Sequence, residues 1–255
     1  MNRREYLKCM ASLIALSSAA IPGLAIAMGP EDKFTIAQLK YKGAFNTRPT
    51  ALRRLTLEVE KRTSISTGPK IPRLSATQKS LYQYPLLFWS GDQAFDSLPQ
   101  KATQALRDFL LSGGMLVVDA SDGVVDGPFV QSIRRELTAV FPNRKLSSIP
   151  SDHVLYKSFF LVDKPVGRLA ISKELEGIFD EDRLVLILSQ NDMLGAWAKD
   201  NFGSWTFNCE PKGDKQREMS YRLGINIVMY ALCTNYKSDQ VHVPFILKRR
   251  KWKVD

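Results

Sequence analysis

The chain has 255 residues, 44% of them hydrophobic and 24% charged, with a formal net charge of +10. It carries no internal repeat and no low-complexity segment, which excludes repeat and compositionally biased proteins and suits one large folded domain. The positive surplus favours acidic partners such as anionic lipid headgroups or polyanionic polymers, whereas no aromatic-basic repeat supports nucleic-acid binding.

In chain order, the first segment reads as a twin-arginine signal peptide over residues 1–27. Arg3-Arg4 precedes an apolar stretch from Cys9 to Ala27, which closes on the small-x-small signal Ala25-Ile26-Ala27. The expected location is therefore periplasmic or otherwise extracytoplasmic. An ordinary secretory signal that contains two arginines is a second reading. An uncleaved membrane anchor is a third, because the run is near the lower limit for a span. Removing residues 1–27 takes away Arg3, Arg4 and Lys8 against Glu5, so the net charge falls to about +8.

A single α/β domain is expected over 28–248. Alternation of apolar and polar residues at 34–39 reads as a strand, and 49–62 follows as a helix with Leu52, Leu55 and Val59 on one stripe. Residues 85–89 are continuously apolar, like a parallel strand buried on both faces. A helix at 98–112 stops at Gly113-Gly114. Another apolar strand at 115–118 leads to a helix at 127–140. Residues 141–182 are the least regular and are expected to form an insertion or lid. A strand at 184–188, a polar surface loop at 199–216 and a long apolar helix at 214–233 complete the pattern. Residues 249–255 form a basic tail, whose expected role is a solvated end or a peripheral contact with a membrane or anionic polymer. Alternating strands and helices of this kind predict a three-layer, doubly wound, mostly parallel sheet of flavodoxin-like type.

In such sheets ligands bind beyond the carboxyl ends of the strands. Three strands end in polar clusters: Ser90-Gly91-Asp92, the run from Asp119 through Gly123 that includes Asp122, and Ser189 through Asp192 with Asn191 between. Gathered on one rim, these carboxylates can bind a cation, divide into an acid and a base, or accept hydrogen bonds from sugar hydroxyls. Aspartate, serine and glycine are also what strand-to-helix turns use as caps and turn formers. Asp152-His153 lies in the irregular region, where Asp152 can orient the imidazole. Neither Ser90 nor Ser189 sits in a Gly-x-Ser-x-Gly elbow. No cofactor motif and no metal-spaced Cys/His set appears, so neither a cofactor nor a metal is expected. Cys9 lies in the signal; Cys209 and Cys233 either pair in an oxidising compartment or remain inert buried thiols.

Several stretches together resemble one bacterial family. They are residues 34–41, Arg48-Pro49, 86–92, 113–119, Asp152-His153, Asn191-Asp192 with Trp197, and 223–230. The order looks like the domain of unknown function 4159 family, and Trp197 joins the candidate site through that resemblance. The family resembles the class I glutamine amidotransferase-like superfamily in fold. Hydrolytic members of that superfamily carry a cysteine on the turn after a central strand. Here Ser90-Gly91-Asp92 stands there, and no strand end carries a cysteine. The expectation is a non-catalytic domain that binds a small molecule or an envelope protein. The alternative is a hydrolase of a carbohydrate or peptide-like envelope substrate, acting through rim carboxylates and His153.

Overall fold

Segments that are apolar at every position end up in the middle of one sheet, where both faces are covered. A computed structural model describes residues 33–233; the expected signal peptide and basic tail lie outside the described residues. The elements are β1 (Ile36–Leu39), α1 (Ala51–Arg62), β2 (Arg73–Leu74), β3 (Leu86–Gly91), α2 (Gln100–Leu111), β4 (Met115–Ala120) and α3 (Pro128–Val140), followed by β5 (Ser147–Ser148), β6 (Glu176–Asp180), β7 (Arg183–Ser189), α4 (Met193–Trp197) and α5 (Gly213–Cys233). Short 3-10 turns sit at Lys79–Gln83 and Val154–Lys157.

The seven strands run in the order β2-β1-β3-β4-β7-β6-β5. The first five pair in parallel; β6 is antiparallel to β7, and β5 to β6. The result is an α/β fold with a mostly parallel central sheet flanked by helices, consistent with a flavodoxin-like arrangement. Alternation along the central strands divides the core in two. Phe88, Val117 and Ile187 face a cluster with Leu55 of α1, Trp197 of α4 and Ile227 of α5. Leu87, Val118 and Leu188 face the opposite cluster, with Leu106 of α2 and Ile133 of α3.

Residues 141–182 extend the sheet. They supply β5 and β6, and Ile149, Leu155, Tyr156, Val162 and Leu175 are buried in the core. Between 199 and 212 the chain is irregular, with turns at 201–202 and 210–212. At the first, the Asp200 carboxylate accepts the amides of Phe202 and Ser204, both at 2.9 Å. Cys209 is a buried thiol, not half of a disulfide, and burial raises its pKa. Among the described residues, no helix is long and apolar enough to cross a membrane.

Candidate functional site

The register aligns the three polar strand ends in one row. Ser90 lies beside Asp119, and Asp119 beside Ser189. The residues before them, Trp89, Val118 and Leu188, face the α2/α3 side. All three polar side chains therefore turn toward α1, α4 and α5, and all three are fully buried.

Ser90 donates its hydroxyl to the Phe45 carbonyl (2.8 Å), and its own carbonyl accepts from the Tyr41 hydroxyl (3.1 Å). It secures the loop after β1. Gly91 is required sterically, since a Cβ there would fall 2.3 Å from the Phe129 ring. The Ser189 hydroxyl accepts the Asn191 amide at 3.3 Å.

The two buried aspartates build the start of α4. Asp119 accepts the amides of Met193 (2.8 Å) and Leu194 (2.9 Å). Asp192 occupies the N-cap with φ of 51° and accepts the Gly195 amide at 2.9 Å. The first amides of a helix have no partner within it, and here two carboxylates satisfy three of them. Burial, joined by the charge of Asp192, pushes the Asp119 pKa up to about 8, while the two amides and Arg48 act against the rise.

Asp192 also joins two arginines. Arg48 approaches side-on, with Nε 3.2 Å from Oδ1 and Nη2 2.9 Å from Oδ2. Arg168 places Nε 2.5 Å from Oδ2. Both guanidinium groups lie over Phe207, at 4.2 Å and 5.6 Å from the ring centre. The Asp192 side chain is wholly buried, whereas Arg48 is 12% and Arg168 22% exposed. Arg48 Nη1 donates to the Thr47 carbonyl (3.2 Å), and the Thr47 and Ser121 hydroxyls meet at 3.2 Å. Among the described residues, neither terminal nitrogen of Arg168 has a hydrogen-bond partner. Nη2 lies near Gly123, 3.8 Å from where a Cβ there would stand.

The segment carrying Arg168 is locked to the end of β7. The amides of Arg168 and Leu169 donate to the carbonyls of Asp192 (2.9 Å) and Asn191 (3.0 Å). The Asn191 side chain accepts the Ser172 amide (2.8 Å) and donates to the carbonyls of Pro165 (3.1 Å) and Ser172 (2.9 Å). Gly167 permits this approach: a Cβ would sit 2.1 Å from the Asn191 carbonyl oxygen.

The remaining candidates lie elsewhere. Asp122 has a raised pKa, chiefly through burial, with a smaller push from the charge of Asp92. Oδ1 of Asp92 is shielded from water without a hydrogen-bond partner, and the backbone amides of Phe129 and Val124 act against the rise at Asp122. Trp197 is fully buried in the core, stacked on Tyr221 at 6.0 Å. Asp152 is exposed. The His153 Nδ1 accepts the Leu155 amide at 3.2 Å, and its ring lies against Phe179 and Tyr230. The Tyr230 hydroxyl accepts the Leu184 amide, at the start of β7. The rim lies at the other end of that strand, about 16 Å away at ~3.3 Å per residue. Burial lowers the His153 pKa, against the pull of Asp152. Among the described residues, no three His, Cys, Asp or Glu side chains converge as a metal-ligand set.

Arg48, Arg168 and Phe207 did not stand out as site residues in the sequence. Arg48 precedes Pro49, and Arg168 follows Gly167. Those two neighbours are the only local signs of positions where the chain is tightly constrained.

Fold and rim together define a class: a three-layer α/β domain whose sheet ends, at its carboxyl edge, in an arginine–aspartate cluster. The family model described as Domain of unknown function (DUF4159) matches residues 35–232, and the chain belongs to that family. No curated protein matches it.

Proposed function

We propose that this protein is a non-catalytic, ligand- or partner-binding domain of the cell envelope, carried out of the cytoplasm by the twin-arginine route. Its scaffold is read as class I glutamine amidotransferase-like, and its recognition element as the arginine pair over Phe207. The observation that carries the reading is how the rim uses its charges. Asp119 and Asp192 are committed to helix amides and guanidinium groups, while Arg168 keeps two terminal nitrogens without a partner. A planar fork of that kind matches a carboxylate or phosphate oxygen pair. The hydrolytic alternative has less support. The Ser90 hydroxyl is buried against a carbonyl, and His153 lies at the opposite end of the sheet from the rim carboxylates.

The reading is tested by titrating the purified protein with inorganic phosphate and with succinate, followed by NMR. The expected result is saturable movement of the Gly123 and Phe207 signals, lost in Arg168→Gln. Unmoved signals with both anions, or equal movement in the variant, would count against it. The export route is tested separately with a reporter fused after residue 27. Arg3→Lys/Arg4→Lys is expected to hold the reporter in the cytoplasm, and normal export of that variant would remove the twin-arginine reading.

A further inference from the structure

A groove of about 620 Å³ runs between the first half of α5 and the segment 163–170. That volume lies in the range of small-molecule sites. Part of its lining is apolar: Val166 and Ala170 from one wall, Pro211 and Met219 from the other. The rest is largely cationic. Lys164 stands on one wall, and Lys212 and Lys215 stand on the other. Among the described residues, none of these three lysines forms an ion pair. The groove has two carboxylates, Asp163 and Glu218. Glu218 is already neutralised by Arg62 and Arg222, both at 2.9 Å. Burial opposes its ionisation, but the hydrogen bonds from Arg222 and Arg62 outweigh burial and lower its pKa. Three lysines therefore face one carboxylate.

The groove is built into the fold. Gln216, 2% exposed, shares the two hydrogens of its Nε2 among the carbonyls of Gly167 (2.9 Å), Arg168 (3.0 Å) and Glu210 (2.6 Å), and accepts the Lys212 amide (3.2 Å). One buried side chain thus holds both walls at a fixed separation, and a preformed site needs little ordering on binding.

We propose that this groove binds a small amphiphilic anion, with a short apolar chain on Val166, Ala170, Pro211 and Met219 and an anionic head held by Lys164, Lys212 and Lys215. A purely apolar ligand would leave the lysines unused. A small anion alone would leave the apolar lining wet. Burial of the chain and pairing of the head therefore contribute together. This site is separate from the arginine pair and stands or falls without it.

The test uses the full chain and decyl phosphate below its micellar concentration, with calorimetry as the readout. Decyl maltoside supplies the same chain on a neutral head, and inorganic phosphate supplies a head without a chain. Saturable one-to-one binding of decyl phosphate is expected in the chain carrying Arg168→Gln, where the anion site proposed at the rim is absent, with both comparison compounds weaker by about tenfold or more. Lys164→Glu/Lys215→Glu is expected to weaken decyl phosphate by at least about that factor while leaving decyl maltoside unchanged. Met219→Gln is expected to weaken decyl phosphate while leaving phosphate unchanged. The lysines are exposed and the methionine is half-buried, and thermal melts of both variants check that they fold. No saturable binding of decyl phosphate, equal affinity for decyl maltoside, or unchanged affinity in the charge-reversed variant each overturns the proposal. Binding of an acidic peptide where decyl phosphate does not bind would also overturn it, in favour of a protein partner.

Discussion

At the scale of single residues, the rim shows how a carboxylate can be visible in a sequence while its role is not. Asp119 and Asp192 stand out in the sequence because they close apolar runs, but what each does depends on amides and guanidinium groups that other segments deliver. Asp119 has a testable consequence. An acid whose pKa is raised in the folded state, here from 3.8 to about 8, binds more protons folded than unfolded across that window. Its contribution to stability is therefore greatest at low pH and is lost as pH rises toward 8, by at most about 1.4 kcal/mol per pH unit. Asp119→Asn removes the titration and weakens one of the two amide contacts, for about 1–3 kcal/mol. In urea melts at pH 5 to 8, the variant is expected to be less stable at pH 5 and to lose less stability as pH rises. Parallel pH dependences would refute the raised pKa. The arginines were not legible for a related reason. Arg48 lies 144 positions from Asp192 and Arg168 lies 24 positions away. No local period records a contact of that kind. Beyond Pro49 next to Arg48, the local hint is Gly167, where a side chain would strike the Asn191 carbonyl, so that its neighbour is held in place.

At the scale of elements, legibility followed length. The helices read at 49–62, 98–112, 127–140 and 214–233 correspond to α1, α2, α3 and α5 within two residues at each end, because three or more turns give the 3.6-residue period room to repeat. α4 is too short to show a period, and all five of its residues are buried. Two-residue β2 and β5 carry no alternation at all. β6 pairs with β7 through a register shift at Ile178/Phe179, which breaks the period-two pattern. What α4 lacks in length it gains from its neighbours, and Gly224 of α5 marks the meeting point. A Cβ there would lie 2.7 Å from the Trp197 ring and 2.8 Å from Leu55. Alanine is the better helix former by about 1 kcal/mol, while overpacking a core costs about 1–3 kcal/mol. Both contacts are with large, fully buried side chains, so overpacking is expected to win. Gly224→Ala is expected to lower stability by up to about 2 kcal/mol in a chemical melt and to alter Trp197 fluorescence. A variant more stable than the parent would show that α1, α4 and α5 have slack between them.

At the scale of the whole molecule, one sheet holds two cores together. Leu87 and Phe88 are adjacent in β3, yet they belong to opposite clusters, and the same is true of Leu186 and Ile187 in β7. A strand cannot leave one core while remaining packed in the other, so the two faces are coupled through the backbone they share. The edges suit this arrangement: the terminal strands β2 and β5 have two residues each, which leaves little unpaired backbone to recruit another chain. Leu55 on the α1 face and Leu106 on the α2 face test the coupling, since both are at most 1% exposed. Leu55→Ala and Leu106→Ala are each expected to cost about 2–5 kcal/mol through lost burial and the cavity left behind. Each should move a single transition, seen at the same denaturant concentration by tryptophan fluorescence and by far-ultraviolet circular dichroism. The two sites are separated by the sheet and share no partner, so the double variant is expected to lose the sum of the two, within about 0.5 kcal/mol. A two-step melt in which Leu106→Ala shifts only one step would mean that the α2/α3 face can open while the face carrying the arginine pair stays closed.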